Sequence, residues 1–253
     1  AAAHSAPVRG AWNFEGVSYT YPDSGIQALN DVSFAVNPGE TVVVVGRTGS
    51  GKSSLVGLMN RLMDPSSGRV LLDGVDLRDW DLNALRASIG TVPQDPFLFS
   101  DSVADNIAFG SLNAERSEVE RQAELADVAD DIRGFPQGFD TVVGERGVTL
   151  SGGQKQRVSI ARALMKHPPV LLFDDALSAV DTETEVTILS NLKARLQGLT
   201  AVLITQRLSC VHLADRIVVL DEGRVVQQGS HAELIKQPGR YAELYALQSQ
   251  QAS

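Results

Sequence analysis

Apolar and polar positions change period several times along this chain. Thr41–Val45 is a continuous β-branched run, which marks a strand buried on both faces. Shorter β-type segments precede it at Trp12–Val17 and Val32–Val36, separated by turn chemistry at Tyr21-Pro22-Asp23-Ser24-Gly25 and Asn37-Pro38-Gly39. A glycine-rich loop follows, and then the period becomes that of a helix over Ser53–Leu62. Apolar strands return at Val170–Phe173, Ala201–Ile204 and Ile217–Leu220, with a helical stretch over Glu183–Leu196. This alternation predicts an α/β fold: a parallel or mixed sheet wrapped by helices, preceded by an N-terminal antiparallel β part. Residues from 95 to 165 are helix-rich, include an expected helix over Glu115–Ala129, and read as a helical subdomain inserted into the core. Residues 1–11 read as a linker or flexible tail, 12–247 as the domain, and 248–253 as a second tail.

Composition narrows the function classes. A length of 253 residues suits one large domain or a core with an insertion, and an apolar fraction of 43% allows a sizeable core. The net charge is −9 and no Lys/Arg-rich run occurs, so a nucleic-acid groove is not expected; the acidity reads as a solvated surface. The single cysteine, Cys210, cannot form an intramolecular disulfide and reads as an inert, buried or half-buried thiol in a reducing compartment. His4, His167, His212 and His231 lack metal-ligand spacing. No apolar run approaches bilayer length, and no signal peptide is visible. The start AAAHSAPVRG, rich in small residues and without Met, reads as a linker, and the chain as a piece of a longer polypeptide.

Two motifs carry phosphate chemistry. Gly46-Arg47-Thr48-Gly49-Ser50-Gly51-Lys52-Ser53 fits the pattern GxxxxGK[ST] between an expected strand and an expected helix. Its glycines let backbone N–H groups turn inward around phosphate oxygens, and the helix N-terminus adds partial positive charge. Lys52 is placed to reach the β- and γ-phosphates and Ser53 to ligate Mg²⁺. With glycine near 7% of residues, a chance match in this length is on the order of 1%. Val170-Leu171-Leu172-Phe173-Asp174-Asp175 is an apolar strand ending in two carboxylates. It would deliver Asp174 to the Mg²⁺ shell. Alone it is weak, since strands often end in Asp; beside a phosphate loop it is strong.

Leu150-Ser151-Gly152-Gly153-Gln154, opening an expected helix over Lys155–Met165, selects a family. Together with the two motifs above, it resembles the signature of ATP-binding-cassette (ABC) proteins, and the resemblance runs over residues 12–247. It implies ATP and Mg²⁺ as ligands and two domains that sandwich two nucleotides head to tail. Each signature, here Ser151, Gly152, Gly153 and Gln154, would bind the partner's ATP. It also implies adenine stacking on Tyr21, nucleotide contacts from Gly46 through Ser53 with Ser54, and Mg²⁺ ligation by Ser53, Asp174 and Gln94. The catalytic set becomes Lys52, Gln94, Asp175 and Gln206. Gln94 and the following Pro96-Phe97-Leu98-Phe99-Ser100, Asp105-Asn106-Ile107 and Val143-Gly144-Glu145-Arg146-Gly147 look exporter-like. Ser178-Ala179-Val180-Asp181 matches the loop that crosses to the partner's site.

Two positions depart from the family pattern. Asp175 stands where active members carry a glutamate that polarises the attacking water. It is one methylene shorter, and a misplacement of about 1 Å can cost on the order of 10²-fold in rate. Gln206 stands where they carry a histidine; it can donate a hydrogen bond but cannot carry positive charge. The expectation is the motor domain of an exporter at the cytoplasmic face of a membrane, joined to a transmembrane domain. Its own site would be degenerate, and its intact signature would complete the site of a heterodimeric partner. The alternatives are a symmetric homodimeric transporter ATPase, or a non-transport ABC ATPase acting on nucleic acid or as a nucleotide sensor. The former of these last two would need coiled-coil insertions or basic arms, and none is visible.

Overall fold

The computed structural model describes residues 3–111, 113–144 and 148–251. Its strands are β1 (Trp12–Thr20), β2 (Gln27–Val36), β3 (Thr41–Val45), β4 (Ser67–Leu72), β5 (Val75–Asp76), β6 (Ile89–Val92), β7 (Val170–Asp174), β8 (Thr200–Thr205), β9 (Arg216–Asp221) and β10 (Arg224–Gly229). Among the described residues they form an antiparallel sheet of order β2-β1-β4-β5 and a larger sheet of order β10-β9-β3-β8-β7-β6. In the larger sheet β9, β3, β8, β7 and β6 run parallel, and β10 joins the edge antiparallel. The helices are α1 (Lys52–Met59), α2 (Leu82–Ala87), α3 (Val103–Ala108), α4 (Arg116–Leu125), α5 (Ala129–Arg133), α6 (Gly152–Met165), α7 (Thr182–Leu196), α8 (His231–Leu234) and α9 (Arg240–Gln251).

The fully buried β3 follows from its place between two cores. Val42 and Val44 point into one, shared with α1 and the antiparallel sheet; Val43 and Val45 point into the other, shared with α3 to α7. β7, β8 and β9 split the same way: Leu171, Leu203 and Val219 face the helices, while Leu172, Val202 and Val218 face the other sheet. Period-2 alternation therefore persists, but both faces are dry, and each buried valine contributes on the order of 2 kcal/mol.

Two expectations need correction. The helix expected over Glu115–Ala129 breaks into α4 and α5, because Asp127 sits in the left-handed region (φ +55°). Val128 N–H then bonds the Ala123 carbonyl and Asp127 N–H the Glu124 carbonyl, the paired closure of a Schellman end. The helix expected to Leu62 stops at Met59 by the same device, with Arg61 at φ +48° and Leu62 N–H bonded to Gly57 O. The helices between 103 and 165 pack onto the larger sheet: Val103, Ile107, Val119 and Ile132 belong to the cluster that contains Val43 and Val45.

Described residues near both ends make tertiary contacts. Arg9, Gly10 and Ala11 donate their amides to the Asp73 carboxylate, and the His4 ring stands edge-on to Trp80. At the other end α9 runs to Gln251, and Gln248 bonds the Gln206 carbonyl and the Leu208 amide.

Candidate functional site

The loop Gly46–Gly51 leaves β3 and enters α1 at Lys52. A Cβ on Gly46 would lie 2.4 Å from the Leu220 carbonyl oxygen, and one on Gly51 would lie 2.5 Å from that of Ala28. Gly49 and Gly51 also have φ of +80° and +102°, where a residue with a Cβ would be strained. Ser50 N–H returns to Arg47 O at 3.1 Å. Inside this turn the Lys52 ammonium, 8% exposed, donates to the carbonyls of Gly46 and Arg47, each at 2.6 Å. Burial pulls its pKa below the ordinary lysine value, with Asp175 and Asp174 opposing. Ser53, at the open end of α1, is exposed.

β7 delivers Asp174 to the same place. Burial raises its carboxyl above the usual range and Asp175 adds to the rise, while Lys52 opposes it. Asp175 itself turns into the left-handed region (φ +47°), its amide bonded to Ile204 O at 2.7 Å and its carboxylate accepting from the Thr205 hydroxyl. Gln206 follows β8, and its amide oxygen accepts from the Thr48 hydroxyl. A cavity of about 350 Å³ brings together Thr48, Gly49, Gly51, Lys52, Ser53 and Ser54 with Gln94, Asp174, Asp175 and Gln206. Tyr21 forms its wall with Ile26 and Ala28. The Tyr21 hydroxyl lies 3.0 Å from Ser54 Oγ, and its ring stands edge-on to Tyr19. Gly46, Arg47 and Ser50 build the loop from behind.

Ser151, Gly152, Gly153 and Gln154 do not join this cavity. Ser151 caps α6: its hydroxyl accepts from Gln154 N–H, and the Gln154 side chain returns to Ser151 N–H. This capping box leaves the Gly152 and Gly153 amides at the start of the helix, where no intrahelical acceptor exists. A Cβ on Gly153 would lie 3.0 Å from Ala179 O. Of the exporter-like segment 143–147, Glu145, Arg146 and Gly147 lie outside the described residues. Phe97, Phe99 and Phe109 form an exposed aromatic patch with the Arg162 guanidinium against the last two, close in sequence to Gln94.

Sequence reasoning passed over three polar groups at this site. Gln156 is 2% exposed: its amide donates to Gln94 O and Ser178 Oγ and accepts from Ala179 N–H. Arg207 holds the carbonyls of Ser178 and Val180 and pairs at 2.6 Å with Glu185, itself 2% exposed. A charged or amide side chain on the core face of α6 or α7 was the available signal, since such groups are buried only when satisfied.

The family profile described as "ABC transporter" matches residues 29–178. Over 241 residues the chain is 48% identical to an "ATP-dependent lipid A-core flippase" of Pseudomonas aeruginosa, covering 95% of this chain and 40% of that protein. It is 47% identical over 240 residues to an "ATM1-type heavy metal exporter" of Novosphingobium aromaticivorans, covering 95% of this chain and 39% of that one. The chain thus spans about two fifths of the length of these relatives. A solved bacterial Atm1-family ABC exporter with ATP bound superposes with a TM-score of 0.93 at 47% identity, covering 98% of this chain and 44% of that one.

Proposed function

From the premise that the chain belongs to the ABC transporter family, we propose that it is the ATP-binding motor domain of an exporter, working at the cytoplasmic face of a membrane. The observation that carries this reading is the buried Lys52 ammonium inside a loop where Gly46 and Gly51 leave no room for a Cβ, in one cavity with Asp174. That cradle fits a triphosphate, and the Ser53 hydroxyl, Asp174 carboxylate and Gln94 amide form the all-oxygen set that Mg²⁺ takes. The metal, when bound, would neutralise charge developing on the phosphates. Lys52 exchanges its loop carbonyls for phosphate oxygens, Tyr21 offers its ring to adenine, and Asp175 orients the attacking water. Gln206 meets the terminal phosphate with a neutral amide.

The asymmetric reading rests on the contrast within the chain. Asp175 and Gln206 are the shorter acid and the uncharged donor, so this site turns over slowly. Ser151 to Gln154 retain the full signature and serve the site of a second, heterodimeric motor domain. The transmembrane portion docks on the Phe97, Phe99 and Phe109 patch. Support for this occupant comes from the three fifths of the relatives' length that this chain lacks, and from the exposure of Phe97, 69%.

Calorimetric titration with MgATP tests the assignment. Lys52→Ala removes a charge-assisted contact and is expected to weaken binding by about 10- to 100-fold. An unchanged affinity would sink it.

A further inference from the structure

We infer that Gln156 is a positioning residue that transmits the state of Gln94 to the Ser178–Val180 segment, a reading that rests on the proposed ATP function. Gln94 lines the cavity, and its backbone carbonyl accepts from Gln156 Nε2 at 3.0 Å. The same nitrogen donates to Ser178 Oγ at 2.9 Å, and Gln156 Oε1 accepts from Ala179 N–H at 2.9 Å. All three bonds belong to one amide, 2% exposed, on the first turns of α6. Both donors and one acceptor lone pair are therefore used, and the Gln156 amide itself has almost no access to water that could replace a lost partner.

The geometry makes the two segments move together. Any shift of the Gln94 backbone, as a ligand draws its side chain inward, either breaks a hydrogen bond of the buried Gln156 amide or carries its amide plane with it. That plane also fixes Ser178 and Ala179, because the oxygen and nitrogen of one amide cannot turn separately. From the other side Arg207 holds the carbonyls of Ser178 and Val180, and its ion pair with buried Glu185 fixes it there. The segment is thus hinged on Arg207 and driven by Gln156. Ala179 in turn lies against Gly153 of the signature, so the displacement reaches the residues proposed to close on a partner's nucleotide.

The test uses the full 253-residue chain with MgATP, comparing calorimetry with amide hydrogen exchange in peptides covering 93–96 and 176–181. In the unsubstituted chain ATP is expected to slow exchange in both, by about tenfold. Gln156→Met keeps the shape and removes all three bonds. It should leave the ATP Kd within about twofold and the 93–96 response intact, while the 176–181 response falls below about twofold. A merely structural glutamine would lower stability without uncoupling the two peptides. Should Gln156→Met fold poorly, Ser178→Ala removes one link at a half-exposed position and is expected to reduce the 176–181 response by about half. An unchanged 176–181 response in either folded variant, with ATP bound, overturns the relay. Failure of the unsubstituted chain to bind ATP would instead overturn the proposed function beneath it.

Discussion

The Thr48 hydroxyl donates to the amide oxygen of Gln206 at 3.0 Å, so the phosphate loop and the turn after β8 are joined within one chain by a single side-chain bond. The bond fixes which end of the Gln206 amide is occupied: its oxygen is turned to Thr48, which leaves its nitrogen for the proposed phosphate contact. A histidine at this position would bring charge that the amide lacks. We predict that Asp175→Glu and Gln206→His together raise steady-state phosphate release by the self-associated domain, by about 10²-fold or more. The gain should exceed the product of the single effects, because both groups act on one transition state. If the unsubstituted chain already turns over as fast as the double variant, the site is not degenerate and a symmetric motor is the better account.

The two left-handed glycines of the loop separate conformational from steric cost. Gly49 has φ +80° with nothing within 4 Å of an added Cβ, whereas at Gly51 (φ +102°) that atom would lie 2.5 Å from Ala28 O. Gly49→Ala is expected to cost about 1 kcal/mol in urea unfolding, and Gly51→Ala at least about 3 kcal/mol, since the obstacle is backbone. Equal losses would mean that the close approach of the loop to β2 does not constrain it.

Cys210 gives a chemical readout of core integrity. Burial pushes its thiol up to about 12 from an ordinary 9.0, with Glu185 adding to the rise. At pH 8 its thiolate fraction is then on the order of 10⁻⁴, and iodoacetamide should label the native chain hardly at all and the urea-unfolded chain readily. The linkage has a definite sign. The unfolded thiol loses its proton above pH 9.0 while the folded one keeps it until about 12, so the stability present below pH 9.0 is lost progressively across that window. Rapid labelling under native conditions would show that the pocket around Cys210 opens.

Much of this was legible because local signals and tertiary context agree. The Thr41–Val45 run could only be a strand dry on both faces, and glycines at 46 and 51 mark where a side chain would collide, while the one at 49 marks a left-handed turn. The helix ends at Met59 and Leu125 were not legible, since the left-handed stop that a glycine would announce is made by Arg61 and Asp127. Nor were β4 and β10 foreseen: β4 begins Ser67-Gly68-Arg69, and β10 alternates along an exposed edge. The bonds of Gln156 and Gln248 were out of reach for another reason. They join residues 62, 22, 23, 42 and 40 positions apart, and no local pattern encodes such a meeting.

The central strands are party walls. Val42 and Val44 furnish one room while Val43 and Val45 furnish the next, and β7, β8 and β9 repeat the arrangement. A strand so held has no slack: a shift that heals a void on one face drags the opposite face out of register, since interiors this dense tolerate little displacement. The α1 side and the helical side therefore cannot be tuned by separate sets of core substitutions. A methyl group gained or lost beside α6 is answered at α1, across the thickness of a single sheet.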